Sequence, residues 1–288
     1  MYLSSERRFF RAFRIVASVV FIAALAGCGF PVGPFQARAT DTWTRTYQLS
    51  KTGEVSISNV NGRVDVEGVD GSTVEVSAER IARGATDQLA GELLKRISIN
   101  DRSTPDSVSV ETQKVEGILI GASFEVRYRV RVPKTANVRA STVNGGVEAR
   151  SVGGRLIAQT TNGGINGTGI TGGVEASVVN GGIRIRLASV GKNDVAMSTV
   201  NGGVRLVLPE NAKATVSASW VNGGMRRSGL NFDVRDDSRR HFEGVLNGGG
   251  TSIALRTVNG GIAIASGAED FGKEQDDGGG TRVEKLAQ

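Results

Sequence analysis

Apolar and polar residues alternate along much of this chain, which is the pattern of strands with one buried face. Between residues 43 and 80 the alternation is interrupted at Asn61-Gly62 and Asp70-Gly71, two dipeptides typical of tight turns. We therefore expect short strands joined by turns in this stretch. The apolar members of the alternating pairs are Val55 and Ile57, Val64 and Val66, and Val74 and Val76.

The alternation stops at residues 86–97, where apolar residues recur at helical spacing behind Thr86, a suitable N-cap. This segment is the one helix that the sequence predicts. Strands resume over 107–110 and 124–132, so we expect residues 43–132 to form an N-terminal β region that contains this single helix. The helical apolar positions are Leu89, Leu93, Leu94 and Ile97.

From residue 133 to 265 the chain repeats the tripeptide Asn-Gly-Gly, first at intervals of 18 and then of 21 residues. Weaker Gly-Gly pairs lie midway between the first copies, so the structural unit is a half-coil of about nine residues. Asn and Gly accept the positive φ angles that sharp corners need. The repeated corner asparagines are Asn144, Asn162, Asn180, Asn201, Asn222, Asn247 and Asn259.

Each repeat places apolar residues directly after the glycine pair and two positions later. A nine-residue half-coil cannot bury this face alone, so successive coils must stack as parallel strands. The predicted fold class is all-β, a single-stranded parallel β-helix that follows the N-terminal β region. The corner asparagines would then lie above one another and exchange side-chain hydrogen bonds along the stack, which is a structural role.

These residues resemble the bacterial putative-adhesin family of unknown function, over roughly residues 43–265. The matching segments are Ile57-Ser58-Asn59-Val60-Asn61-Gly62-Arg63-Val64, then Val130-Arg131-Val132-Pro133, and Ser141-Thr142-Val143-Asn144-Gly145-Gly146 with its later copies. The resemblance implies a parallel β-helix and a location in the cell envelope.

The first 27 residues have a basic head and an apolar run, Ile15 to Ala26, that is too short to span a bilayer. We interpret them as an export signal. The run ends in Leu-Ala-Gly followed by Cys28, the only cysteine, which looks like the lipobox of bacterial lipoproteins. We expect Cys28 to be lipidated and to attach the protein to a membrane, through a tether over residues 28–42. Because Gly29 is not the aspartate that resembles an inner-membrane retention signal, the outer membrane is favoured if the organism has two membranes.

The charge balance gives no support for a nucleic-acid partner. The full chain has 35 basic and 29 acidic side chains, and the signal contains four of the arginines and Glu6. The remaining balance is 31 to 28, which is too even for steering of a nucleic acid. The acidic and glycine-rich segment 266–288 is expected to be disordered.

The sequence offers few groups for catalysis or metal binding. Gly167 to Gly172 matches the dinucleotide pattern G-x-G-x-x-G, but a strand rather than a helix is expected to follow it. The glycine pairs lack the regular aspartates of calcium-binding repeats. His241 is the only histidine. We therefore expect no cofactor, no metal and no enzymatic activity, although β-helix polysaccharide lyases work without histidine and leave an enzyme as an alternative.

Two surface features are candidates for binding. If coils stack in register, outward positions after the corners bring Arg184, Arg186, Arg205 and Arg226 onto one face in successive coils. Such a row of like charges suits a polyanion, either an acidic envelope polymer or lipid phosphates. The alternative is that these arginines only keep a flat sheet soluble.

The second feature is the longer interval that holds Trp220, Arg239 and Arg240 between the corners at Asn222 and Asn247. An insertion on a rigid scaffold can form a binding loop. It can also pack on the coil or protect a sheet edge from strand addition.

The sequence as a whole predicts a non-catalytic, lipid-anchored envelope protein with an adhesin-like or scaffolding role. A protein partner, including a regulatory one in envelope stress, is the remaining alternative.

Overall fold

The computed structural model describes residues 37–113, 115 and 121–267. The predicted signal, Cys28 and most of the predicted tail lie outside the described residues. The described part is all-β, with one helix and two mostly parallel sheets. The helix α1 is Asp87–Arg96, and the strands are β1 Ala37–Gln48, β2 Glu54–Ser58, β3 Val64–Val69, β4 Thr73–Gly84, β5 Ile99–Thr104, β6 Ser107–Thr112, β7 Ala122–Pro133, β8 Asn137–Asn144, β9 Val147–Arg150, β10 Leu156–Asn162, β11 Ile165–Ile170, β12 Val174–Asn180, β13 Ile183–Leu187, β14 Val195–Asn201, β15 Val204–Leu208, β16 Ala214–Asn222, β17 Met225–Ser228, β18 Phe232–Ser238, β19 His241–Leu246, β20 Thr251–Asn259 and β21 Ile262–Ser266.

Each coil contributes one strand to each sheet and turns between them at the Asn-Gly corner. Sheet 1 has the strand order β1-β4-β7-β3-β9-β11-β13-β15-β21-β17, and sheet 2 has the order β18-β19-β16-β20-β14-β12-β10-β8-β2-β6-β5. Parallel coils already form before residue 133: β2 and β3 pair with β8 and β9 on one side and with β6 and β7 on the other, so the repeats do not start at residue 133 as expected. Residues 43–132 and 133–265 therefore share both sheets and one continuous core.

The core lies between the sheets because parallel pairing keeps equivalent apolar residues above one another. Leu156 pairs with Val174, and Ala158 with Ala176, in neighbouring coils. The apolar residues that follow the glycine pairs are buried, as the alternation predicted. They include Val147 and Ala149, Val174 and Ala176, Ile183 and Ile185, and Val204 and Leu206.

The corner asparagines form a continuous side-chain ladder, as predicted for six of the seven. In each step the amide nitrogen of one asparagine donates to the side-chain oxygen of the asparagine before it in the stack, at 2.8–2.9 Å. Asn247 is not part of it: it has φ 49° and donates to the carbonyls of Glu210 and Ala212. Asn61, which the repeat count left out, takes the first position. The order along the stack is Asn61, Asn144, Asn162, Asn180, Asn201, Asn259 and Asn222.

The coils do not stack entirely in sequence order, which corrects a prediction. The last coil, β20 with β21, lies between the coil of β14 and β15 and the coil of β16 and β17. The chain thus skips one position after β15 and fills it at its C-terminal end. The coil of β14 and β15 and the coil that follows it in sequence, β16 with β17, are therefore not neighbours in the stack.

The N-terminal end of the stack is closed by antiparallel strands and the helix. In sheet 1, β1 pairs with β4 and β4 with β7, and α1 packs against this group. The helix begins after Thr86, whose hydroxyl accepts from the Leu89 amide, as its sequence predicted. Residues 37–42 belong to β1 rather than to a tether, and Asp41 makes an ion pair with Arg80.

At the other end, the long interval after Asn222 forms the antiparallel hairpin β18–β19. The hairpin pairs through β19 with β16 and so extends sheet 2 past its last coil strand. Phe242 is fully buried there, edge-to-face with Phe232 at a ring-centroid distance of 5.2 Å. The insertion is therefore an edge cover, which is the second of its two predicted roles.

Candidate ligand-binding groove

A groove of about 640 Å³ runs along the outer side of sheet 1, across five neighbouring coils. Its floor contains the second glycine of each corner triplet, and arginines stand along it. Because parallel strands lie about 4.8 Å apart, five coils extend over roughly 19 Å. The lining residues are Gly164, Asn166, Gly182, Ile183, Arg184, Gly203, Val204, Arg205, Gly224, Met225, Arg226, Gly261, Ile262 and Ala263.

Three of the four arginines predicted as a stripe line this groove, but only Arg184 and Arg205 lie on neighbouring coils. Arg184 on β13 pairs with Arg205 on β15, and Arg205 pairs in turn with Ala263 on β21. Arg226 lies beyond Ala263, because the last coil is inserted there. The small alanine separates Arg205 from Arg226 by two strand spacings, which reduces the repulsion between their charges.

Arg186 has a different environment from the other three. It is half-buried on β13, next to Thr168 on one side and Val207 on the other, and it does not line the groove. Its charge belongs to the same sheet face but not to the groove itself.

The two halves of the outer face of sheet 1 differ in charge pairing. In the N-terminal half, arginines face carboxylates: Arg131 lies 3.2 Å from Glu75, and Arg150 pairs with Glu148. In the groove no lining residue is acidic. Within the described residues, Arg184 and Arg226 make no hydrogen bond or ion pair. Since a guanidinium stays protonated at any physiological pH, these positive charges are permanent.

The glycine floor also presents peptide N–H groups. Buried threonine hydroxyls bond inward to the carbonyl of the first glycine in several triplets, and in a trans peptide the next N–H then points outward. In the part of the chain that the structure describes, the N–H groups of Gly182 and Gly203 have no backbone acceptor. They face the groove as donors for an anion. The inward bonds are Thr160 to Gly145 and Thr199 to Gly181, both 2.8 Å, and Thr257 to Gly202, 2.9 Å.

The profile of the Toastrack DUF4097 family matches residues 45–265, which is most of the chain and includes the whole groove. The chain belongs to this family. The match supports the resemblance to a putative-adhesin family of unknown function that the corner motifs indicated. No curated protein matches the chain.

Three solved structures that match this family member are distant from it in sequence. A putative cell adhesion protein from Clostridium sporogenes has 11% identity, with 79% of this chain and 100% of that chain covered and a TM-score of 0.46. A putative adhesin from Bacteroides fragilis has 10% identity, with 78% and 97% covered and a TM-score of 0.34. A putative lipid binding protein from Parabacteroides distasonis has 7% identity, with 78% and 96% covered and a TM-score of 0.23.

The other predicted binding residues of this DUF4097 chain lie away from the groove. Trp220 on β16 is only 8% exposed and packs into the core, so it is not a surface ligand contact. Arg239 and Arg240 form the exposed turn between β18 and β19 and do not line the groove. The second glycine of each triplet and Asn166 also line the groove. Sequence reasoning missed them as binding residues because they carry no charge.

Other chemistry in this DUF4097 chain is sparse within the described ranges. They hold no group of three metal-ligating side chains, and His241 lies 4.0 Å from Asp236 in an exposed hairpin. The segment Gly167 to Gly172 leads into the strand β12, not into a helix, so it lacks the geometry of a dinucleotide site. In the described part of the chain, no helix is long and apolar enough to cross a membrane.

Proposed function

We propose that this protein is a non-catalytic, lipid-anchored binding module of the cell envelope, built as a parallel β-helix, whose groove binds a linear polyanion. The observation that carries the proposal is the charge of the groove. Arg184, Arg205 and Arg226 line it together, and no carboxylate does. Elsewhere on the same sheet face, arginines are balanced by neighbouring acids.

The distribution of the charges favours a polymer or a phosphate-rich surface over a single small anion. The arginines lie on three coils, with two strand spacings between Arg205 and Arg226. A ligand with repeated anionic groups can engage several of them at once, and each further contact benefits from the effective concentration that the first one sets. Outward N–H groups on Gly182 and Gly203 add donors between the charges.

A hydrolytic form of the enzyme alternative gains no support from the groove. Hydrolysis of a glycosidic bond needs two carboxyl groups across the scissile bond, and the groove lining contains none. The acids of the hairpin lie on a different surface, and Asp237 is held by Arg227 at 2.8 Å.

The groove is tested by a charge-removal variant with a matched control. The chain from Gly29 onward is prepared with Arg184, Arg205 and Arg226 changed to Gln, beside a control with Arg127, Arg131 and Arg150 changed to Gln. Binding to polyphosphate, peptidoglycan and anionic vesicles is measured over a salt series. We expect at least a tenfold loss for the groove variant, salt-sensitive binding by the native chain, and little change in the control. Equal losses in both variants, or no loss, would refute the groove as the binding surface.

The membrane attachment is tested separately. Mass spectrometry of the membrane-extracted protein should find Cys28 acylated at a new N-terminus, and Cys28→Ser should release the protein from the membrane fraction. A Cys28→Ser chain that stays membrane-bound would rule out the lipid as its anchor.

A further inference from the structure

The last described strand lies between two arginine-bearing strands of sheet 1, not at the end of the stack. Because the last coil is inserted out of order, β21 lies between β15, which carries Arg205, and β17, which carries Arg226. The last described residue, Gly267, is fixed by its N–H bond of 2.8 Å to the Leu208 carbonyl. The following segment therefore starts at the end of β21, on the strand that carries Ala263 of the groove.

That segment has the charge opposite to the groove. Residues 269–277 read Glu-Asp-Phe-Gly-Lys-Glu-Gln-Asp-Asp, which is five acids and one lysine. The groove lining contains three arginines and no acid. No other stretch that follows the last coil is so acidic, since residues 278–288 hold one acid and two basic side chains.

The distances allow the acidic segment to reach the arginines. From Ser266 back to Ala263 is three residues along β21, or about 10 Å at 3.3 Å per residue. Nine extended residues cover up to about 30 Å, which exceeds the roughly 19 Å length of the groove. Because the segment is tethered beside its target, its effective concentration is on the order of millimolar.

We propose that residues 269–277 bind in the groove and compete there with the external polyanion. The docking itself depends only on the charges and the exit point, whereas the competition rests on the proposed function. The segment thus acts as an internal ligand that sets a threshold: only a polyanion that binds more strongly than the tethered segment displaces it. Salt weakens both interactions, since the partners are exposed charges.

Docking is tested without any external ligand. In the chain from Gly29 to Gln288, Arg226→Lys places a primary amine in the groove, and a carbodiimide joins that amine to a carboxylate within contact distance. We expect an intramolecular cross-link between position 226 and residues 269–277, found by peptide mass spectrometry in the monomer band. Arg131→Lys, in the acid-paired half of the sheet, is the control and should give no link to the segment. Absence of the 226 link in the folded variant would overturn docking.

Competition is tested by neutralising the segment. Glu269, Asp270, Glu274, Asp276 and Asp277 are changed to their amides, and polyphosphate affinity is compared with that of the native chain. We expect affinity to rise roughly threefold to tenfold at low salt, with the difference lost near 1 M salt, where the Debye length is about 3 Å. The matched control removes five exposed acids at the far end of the stack, Glu54, Asp70, Glu92, Asp106 and Glu111.

The two tests separate the possible failures. A cross-link together with unchanged affinity in the neutralised chain would overturn competition and leave docking in place. An equal rise in the neutralised chain and the control would show a general charge effect and also overturn competition. A cross-link in a chain whose groove variant binds polyanions as well as the native chain would refute the proposed function but not the docking.

Discussion

The two glycines of each corner triplet have different roles at the residue scale. Gly181 has φ +143°, and an added Cβ would lie 1.9 Å from the Gly163 carbonyl oxygen. The Cβ of a residue at Gly182 would lie 3.3 Å from the Gly203 oxygen, a close but adjustable contact. The fold therefore requires the first glycine, while the second leaves the floor of the groove bare.

This difference predicts that Gly181→Ala lowers the free energy of unfolding by at least about 2 kcal/mol, because it combines backbone strain with a clash. Gly182→Ala, the matched control one residue later, should cost less than about 1 kcal/mol. Urea denaturation of both variants measures the difference. Equal costs at the two positions would show that the corner relaxes around the new side chain.

Tyr128 gives a pH prediction, because burial raises its pKa to about 12. Its hydroxyl lies 2.7 Å from that of Thr112 in the N-terminal core. In the unfolded chain a tyrosine titrates near pH 10. The stabilisation is thus complete below pH 10 and is lost as the pH rises from 10 to 12, since only the folded state then retains the proton.

We expect the urea midpoint of the native chain to fall between about pH 9 and about pH 11.5, and Tyr128→Phe to show a smaller fall. Tyr47, whose pKa is also raised by burial and by Asp101, is present in both chains and cancels in the comparison. Parallel pH profiles of the two chains would exclude Tyr128 as a source of the dependence.

The residue pattern predicts that corner asparagines form a ladder, but it does not predict correctly which asparagines belong to the ladder. The letters Asn-Gly mark a corner only when strands of the two sheets flank them. Asn61 is followed by a single glycine, yet it starts the ladder. Asn247 has three glycines after it, yet it follows the hairpin strand β19 and bonds to Ala212 instead. This context is set by strand pairing, which the tripeptide does not encode.

At the scale of elements, the hairpin β18–β19 determines how sheet 2 ends. It covers β16, a nine-residue strand whose edge would otherwise be open. Phe242 fixes it, since its ring is buried against Phe232 and lies 4.4 Å from the Arg227 guanidinium carbon. The sequence indicated an insertion that is either a binding loop or a cover for the coil or a sheet edge. The antiparallel pairing of β19 with β16 decides for the edge cover.

Phe242→Ala is expected to destabilise the protein by about 3–5 kcal/mol and to release the hairpin from β16. An open strand edge pairs with other chains, so light scattering should show concentration-dependent oligomers. Val234→Ala, on the same hairpin but 47% exposed, is the control and should remain a monomer. If Phe242→Ala is equally monomeric and its hairpin amides stay protected from exchange, the edge-cover role is wrong.

At the scale of the whole molecule, the order in which the coils stack could not be predicted from the sequence. The repeated corners share one triplet and their strands a similar apolar alternation, so the local sequence does not indicate which coil stacks on which. The insertion of the last coil moves Ala263 between Arg205 and Arg226 and sets the spacing of charges in the groove. It also places Gly267, the last described residue, beside Leu208 at the end of β15.

The inserted coil predicts an order of local stability that a sequential stack would not have. Each repeat is stabilised by its neighbours, and terminal coils open first. In sequence order β20 and β21 would be terminal, but each lies between two strands, while β17 pairs on one side only. Hydrogen exchange followed by mass spectrometry should therefore find amides of residues 251–266 more slowly exchanging than those of residues 225–228. The central strands β12 and β13 give the reference for a fully enclosed coil. Faster exchange in 251–266 than in 225–228 would contradict the inserted position, because a coil held on both sides cannot open before the coil at the edge.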